Sequence, residues 1–242
     1  PVPRIANVAH RVGAHLFVDA VAAVPHVSVD VAALGADYLV CSPYKFYGPH
    51  LGVLWGRREL LESLPPFHVR PAGDAIPGRF ETGTKPFELI AGLGGTIRYL
   101  EKVGITQGGA PGLPGQGDRF RRSRLLAALA AIRRYETKLG TQLLERISAV
   151  KGVHIYGITD PARASERCPT VAFTLEGHEP VAIARSLGER GIYVRNGDHY
   201  AYELHQALGL TDGGTVRASV AHYNTPEEIE RLGEALDEIA DA

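Results

Sequence analysis

Asp19 ends the apolar run His15-Leu16-Phe17-Val18, and Lys45 follows the apolar run Tyr38-Leu39-Val40-Cys41 by four residues. In open α/β sheets ligands bind beyond the carboxyl ends of the strands, so an acid and an amine at such places are candidates for chemistry. Lysine is costly to bury; one close behind a buried strand either reaches the surface or meets a neutralising partner. The lysines are Lys45, Lys85, Lys102, Lys138 and Lys151, and of these only Lys45 follows a buried run. Asp19 also has plainer accounts, as a helix cap or an ion-pair partner. Together the two residue types suit pyridoxal phosphate above other chemistries. A lysine amine forms a Schiff base with it, and a carboxylate keeps the ring nitrogen protonated, which makes the ring an electron sink. Residue types alone leave the cap, ion-pair and surface accounts open.

The elements that must position these residues read as alternating helices and strands. Ile5 to Val12 is helical and stops at Gly13, Val29 to Leu34 is a helix or turn stopping at Gly35, and Gly52 to Gly56 is a third apolar run. Continuous apolar runs suit strands covered on both faces, as in mostly parallel sheets. Three strands are few beside the usual five or six or so, so the layer reads as one that has lost its beginning. Gly104 to Gly117 is rich in glycine and proline and reads as a connection over 104–118. It separates a first domain, 1–103, from a second, 119–242.

The second domain opens with a long helix over Phe120 to Val150, where Leu125, Leu126, Leu129, Ile132, Tyr135, Leu139, Leu143, Leu144 and Ile147 form an apolar stripe. A compact α+β unit follows. Its strands are expected at Val153–Tyr156, Thr170–Leu175, Ile192–Val194 and Val216–Val220, and its helices from Pro180 to just before Gly191 and from Tyr202 to Leu208. The last helix begins with Thr225 as N-cap, Pro226 at N1 and Glu228 closing a capping box.

Composition excludes several classes. The chain has 242 residues, 45% hydrophobic and 22% charged, with formal net charge −1. That mix is globular, and it does not suit nucleic-acid binding through a basic face. No apolar run approaches the ~18 residues of a membrane span. Cys41 and Cys168 make neither a disulfide framework nor a zinc spacing, so a reducing, cytoplasmic setting is expected. The ten histidines form no metal-ligand pair with acidic or cysteine companions, so no metal is expected. A nucleophile elbow and a strand-GxGxxG-helix element are both lacking. The sequence contains no methionine and begins with proline, which suggests a processed or partial chain.

Four stretches in order carry a resemblance: Val18 to His26 (VDAVAAVPH), Ser42 to Pro49 (SPYKFYGP), Arg79 to Thr84 (RFETGT) and Val216 to Thr225 (VRASVAHYNT). They resemble successive motifs of class V aminotransferases, pyridoxal-phosphate enzymes, and within them the cysteine desulfurase-like proteins. The resemblance runs across essentially the whole chain. It implies a PLP-dependent transferase-like α/β fold, with part of a mostly parallel large-domain sheet and a C-terminal α+β small domain. It further implies pyridoxal 5'-phosphate as cofactor, an amino acid as substrate, and a homodimer with shared sites. Lys45 matches the Schiff-base lysine, Asp19 the acid at the pyridine nitrogen, and Ser42 a hydroxyl on the cofactor phosphate. Thr84 matches a residue that reaches the phosphate in the other subunit. Arg217 matches the arginine that holds the substrate carboxylate, a task suited to a bidentate guanidinium. His199, Tyr200 and His222 border the site by the same resemblance.

The sequence departs from that pattern at two positions and in one segment. Tyr200 stands where desulfurases carry a cysteine, and a phenol cannot accept sulfur as a persulfide. Ala22 stands where relatives place Gln or His against the ring oxygen. The upstream phosphate-cradling turn and ring-stacking aromatic of relatives have no counterpart in this chain. The expected function is therefore aminotransferase or C–S lyase chemistry on an amino acid, without persulfide formation. The alternative is a non-catalytic or truncated member that keeps the fold and dimer surface.

Overall fold

The computed structural model describes residues 2–112, 120–210 and 213–242. The chain divides into two compact units, Pro1–Ala131 and Ile132–Ala242.

In the first unit, α1 (Val2–Arg11) leads to β1 (Phe17–Asp19), α2 (Val31–Leu34), β2 (Tyr38–Cys41) and β3 (Val53–Gly56). Then come α3 (Arg58–Ser63), α4 (Phe87–Thr106) and the start of α5 (Arg121–Ser148). The ends of α2 follow from its sequence. The Asp30 carboxylate accepts from the Ala32 and Ala33 N–H groups at 3.0 and 3.1 Å, and Gly35 closes the helix at φ 66°. A side chain at Gly35 would also meet Ala6 of α1, 2.9 Å away.

The sheet order is β1-β2-β3. β1 and β2 run parallel, with Phe17 beside Tyr38 and Asp19 beside Val40, while β3 enters antiparallel to β2. An apolar run sets burial and not direction, and the short 42–52 return is too short for the crossover of a dozen or more residues that a parallel neighbour needs. Nor are these runs covered on both faces: Phe17 and Leu54 are more than half exposed. Asp37, just before β2, braces the layer. Its buried carboxylate accepts from the Leu16 N–H at 2.7 Å, bonds His10 Nε2 at 2.8 Å and pairs with Arg57 at 3.3 Å. Burial pushes this carboxyl up, but those hydrogen bonds and charges outweigh it and hold it below the usual carboxylate range.

The glycine-rich connection begins later than the sequence indicates. Gly104 lies inside α4, where a Cβ would fall on the Arg124 carbonyl of α5. The glycine is a close helix contact there and not a loop signal. Beside it the Arg124 guanidinium, itself buried, pairs with the buried Glu101 carboxylate at 3.4 Å and donates to the Pro111 carbonyl at 3.1 Å. Residues 113–119 of the expected connection lie outside the described residues.

In the second unit, the rest of α5 is followed by β4 (Val153–Tyr156), β5 (Thr170–Leu175), α6 (Pro180–Glu189), β6 (Arg195–Gly197), α7 (Tyr202–Ala207), β7 (Thr215–Ser219) and α8 (Pro226–Ala240). The sheet is antiparallel throughout, in the order β4-β5-β7-β6. β5 alternates strictly, with Val171, Phe173 and Leu175 buried. Its inward face joins Val216 and Ala218 of β7 and the stripes of α5, α6 and α8 in one core. Each fully buried residue of that size contributes about 1.5–3 kcal/mol. The capping box of α8 forms as its sequence specifies.

One strand is displaced from its expected place. Ile192–Val194 is not a strand: the Ile192 N–H bonds the Leu187 carbonyl to finish the turn after α6. Ladder pairing with β7 begins only at Arg195.

Candidate active site

The first group of site residues is built at the carboxyl ends of β1 and β2. These strands are parallel and end side by side, with the Ala20 N–H donating to the Val40 carbonyl at 2.9 Å. Asp19 emerges there, exposed, with Oδ1 accepting from the Val21 N–H at 2.9 Å. No described residue donates to its second oxygen. The exposed methyl of Ala22 follows in the next turn.

Past β2, Ser42 is extended and opens a 3-10 turn over Pro43–Lys45, with no capping bond from its hydroxyl. The turn is anchored from below. Pro43 and Phe46 are buried, and the Lys45, Phe46 and Gly48 N–H groups each close on it at 2.9 Å. Gly48 packs where a Cβ would lie 2.8 Å from Thr96 Oγ1 of α4, so a larger residue would lift the turn. Tyr47 takes φ 70°, a left-handed conformation that costs a non-glycine residue on the order of 1–3 kcal/mol. The Lys45 amine stands exposed, 5.8 Å from the Tyr44 ring centroid. It makes no ion pair among the described residues. The Tyr44 ring stacks on His50 at 4.9 Å.

Thr84 stands on an exposed bend after Gly83 and makes no hydrogen bond with Asp19, Ser42 or Lys45.

The second group belongs to the C-terminal unit. Arg217 sits mid-β7, between Ala172 of β5 and Arg195 of β6. Residues directly opposite in an antiparallel pair point to one face with Cβ atoms about 5 Å apart, so the two guanidinium groups are neighbours of like charge. Neither makes an ion pair among the described residues. Burial, then the charge of Arg195, lowers the proton affinity of Arg217.

Thr215 lies two residues before Arg217 and therefore on the same face. His199 Nε2 is 3.1 Å from its hydroxyl. Burial first, then the charge of Arg217, holds the His199 imidazole below its usual range. His199 and Tyr200 both take left-handed backbone, φ 55° and 62°. The turn is pinned by Asp198, whose carboxylate accepts from the Tyr200 N–H at 2.9 Å and whose carbonyl accepts from the Ala201 N–H at 2.8 Å. Tyr200 is 99% exposed. His222, beyond β7, is held below its usual range by burial, against the opposing charge of Glu136.

The structure thus gathers Asp19, Ser42 and Lys45 at two adjacent strand ends, and Arg217, His199 and Tyr200 around β6 and β7. Arg195, Thr215 and His205 belong with the second group and were not singled out from sequence. Period-two counting back from Arg217 would have found Thr215. The other two need the β6–β7 register and the turn.

An uncommitted amine, a carboxylate with one open oxygen and an uncommitted hydroxyl can bond an aldehyde, a ring N–H and a phosphate, so these residues fit pyridoxal phosphate. No cluster of metal-ligating residues occurs among the described residues. No described helix is long and apolar enough to cross a membrane.

Comparison with known proteins agrees with the motifs. The family described as aminotransferase class V matches residues 1–110 and 125–232. A probable cysteine desulfurase of Streptomyces coelicolor is 35% identical over 99% of this chain and 53% of its own length. A cysteine desulfurase of Klebsiella pneumoniae is 34% identical over 99% and 54%. Among solved structures, the apo cysteine desulfurase of Thermococcus onnurineus NA1 superposes with TM-score 0.81 at 29% identity, covering 99% of this chain and 56% of that one. The cysteine desulfurase CsdA of Escherichia coli gives 0.77 at 25% identity, covering 99% and 55%. The chain spans about half the length of these relatives, and 36% of a probable cysteine desulfurase of Mycobacterium leprae. The fold is that of these pyridoxal-phosphate enzymes, and the chain belongs to the class V aminotransferase family.

Proposed function

We propose that this protein acts on an amino acid with pyridoxal 5'-phosphate bound at Lys45, in aminotransferase or C–S lyase chemistry that forms no persulfide. The observation that carries the reading is that an uncommitted Lys45 amine and the Asp19 carboxylate follow the carboxyl ends of two adjacent parallel strands. Bound as a Schiff base, the cofactor supplies an electron sink for bonds at the substrate α-carbon.

Lys45 would hold the group covalently, and its amine would move the substrate α-proton. The open oxygen of Asp19 would keep a proton on the ring nitrogen. Ser42 would donate to the phosphate. Arg217 takes the substrate carboxylate in a bidentate pair, with His199 and Tyr200 at the border of the substrate. Tyr200 offers a phenol where a persulfide would need a thiol, which supports excluding that route. Thr84, which makes no hydrogen bond with Lys45, serves the site of a second subunit, and sedimentation of the protein is expected to give a homodimer. Cys41 and Cys168 form no disulfide, in keeping with a cytoplasmic setting.

The test is a titration with pyridoxal phosphate. A near-visible absorbance band is expected, with borohydride fixing one cofactor mass on the Lys45 peptide and Lys45→Ala abolishing both. Asp19→Asn should keep the covalent adduct and lower turnover at least tenfold, or about 1.4 kcal/mol in barrier. Absence of any band or adduct would favour the non-catalytic reading, to which the apolar methyl of Ala22 after Asp19 lends support.

A further inference from the structure

Three side chains in the second unit share one hydroxyl, and their donor count fixes a protonation pattern. His205 Nδ1 lies 3.0 Å from the Ala201 carbonyl oxygen, and His205 Nε2 lies 3.5 Å from Thr215 Oγ1. His199 Nε2 lies 3.1 Å from the same Oγ1. The two rings are 6.0 Å apart, and His205 and Thr215 are 93% and 98% buried.

A carbonyl only accepts, so His205 Nδ1 carries the hydrogen. His205 makes no ion pair among the described residues. A ring with its one hydrogen on Nδ1 has a bare Nε2, and that nitrogen accepts the Thr215 O–H. Thr215 has one proton to give. Its oxygen must then accept from His199, which places the hydrogen of His199 on Nε2 and leaves Nδ1 as a lone-pair acceptor. Arg217 is two residues from Thr215 on the same face of β7. The chain also closes mechanically. Ala201 accepts from His205 and is the residue after Tyr200, and the Gly197–Gly214 bridge admits no Cβ at Gly214.

We propose that Thr215 and His205 are positioning residues of the substrate site. They fix His199 as the Nε2–H tautomer, with Nδ1 an acceptor for a donor group of the substrate near Arg217, and they lock the left-handed turn that displays Tyr200. The proposal rests on the proposed function only in taking Arg217 as the carboxylate anchor; the tautomers themselves are a property of the protein without cofactor.

The experiment is a long-range proton–nitrogen correlation of the imidazoles in nitrogen-15-labelled protein without cofactor. Histidine tautomers are directly readable there. The expected spectrum has His199 as Nε2–H and His205 as Nδ1–H at neutral pH. Thr215→Val should shift His199 to a mixture of tautomers, and Thr215→Ser should restore the native pattern. In cofactor-loaded protein Thr215→Val should raise KM on the order of tenfold, the size of one lost hydrogen bond, with a smaller change in kcat. His199 as Nδ1–H in the unaltered protein, or an unchanged His199 spectrum in Thr215→Val, overturns the proposal. The first outcome needs no variant, so misfolding of Thr215→Val leaves the test intact. Failure of the cofactor titration with the expected tautomers present would refute the proposed function alone.

Discussion

Lys45 is held by its neighbours and not by its own side chain: buried Pro43 and Phe46 fix the turn, and the amine is left uncommitted. Arg217 is the complementary case, a guanidinium fixed mid-strand beside a second positive charge that it does not neutralise. An anion between the two relieves that repulsion. Arg217→Lys keeps the charge but loses the planar fork, so KM for the amino acid is expected to rise ten- to a hundredfold, about 1.4–2.7 kcal/mol, in steady-state kinetics. His199 and His222 set the pH response of the same unit. Burial lowers both from 6.5, so the folded unit binds fewer protons than the unfolded chain as the pH falls. Stability is then complete above about pH 6.5 and is lost as the pH drops through that value toward the folded pKa. Urea midpoints from circular dichroism should fall between pH 7.5 and 5.5, and a midpoint that rises over that interval would refute this.

At the scale of elements, local chemistry was legible where it is decided locally. β2 falls at the expected Tyr38–Cys41, and the Gly35 stop of α2 and the Thr225–Glu228 capping box of α8 form as read, whereas Asp30, inside a helix expected from Val29, is the N-cap. What depends on a distant partner was not. The direction of β3 is set by its short return and the start of β6 by where β7 lies alongside it. The α5 stripe gave buried Ile132, Leu139, Leu143, Leu144 and Ile147, but its Leu126 and Tyr135 are exposed, and it missed buried Arg124, whose partner Glu101 belongs to another helix. For the same reason the sequence motifs single out Lys45 and Arg217 but give no signal for Thr215 or His205, which bond one another across ten residues. Gly104 gives a sharp test. Gly104→Val drives a side chain into the α5 backbone and should destabilise the first unit by about 1–3 kcal/mol or more, whereas Gly109→Ala, open but left-handed at φ 68°, should cost less. Thr225→Ala removes one half of a capping box and should cost about 0.5–2 kcal/mol in the second unit. Equal losses for the two glycine variants would argue against the helix contact.

For the whole molecule, the two units differ in what holds them. The second has one large core of Leu, Ile, Val and Phe from both sheet and helices. The buried apolar residues of the first, among those described, are chiefly alanines with Leu39, Phe46 and Leu100, and they lie beside a buried ion pair and a sheet with exposed faces. Hydrophobic stabilisation scales with apolar area removed from water, so the first unit should be the weaker, and unfolding should depart from two-state behaviour. The sequence supplies a probe, because its single tryptophan, Trp55, lies on β3 of the first unit. Tryptophan fluorescence is expected to change at lower urea than far-ultraviolet circular dichroism. Phe173→Ala, a fully buried ring in the second core, should then cost about 3–5 kcal/mol in the later transition and leave the fluorescence midpoint in place. Coincident transitions by both probes, moving together in Phe173→Ala, would show one cooperative body. Pyridoxal phosphate gives the converse handle. A ligand held covalently at Lys45 stabilises the unit that carries it by mass action, so the fluorescence transition should rise with cofactor concentration, and Lys45→Ala should erase that rise.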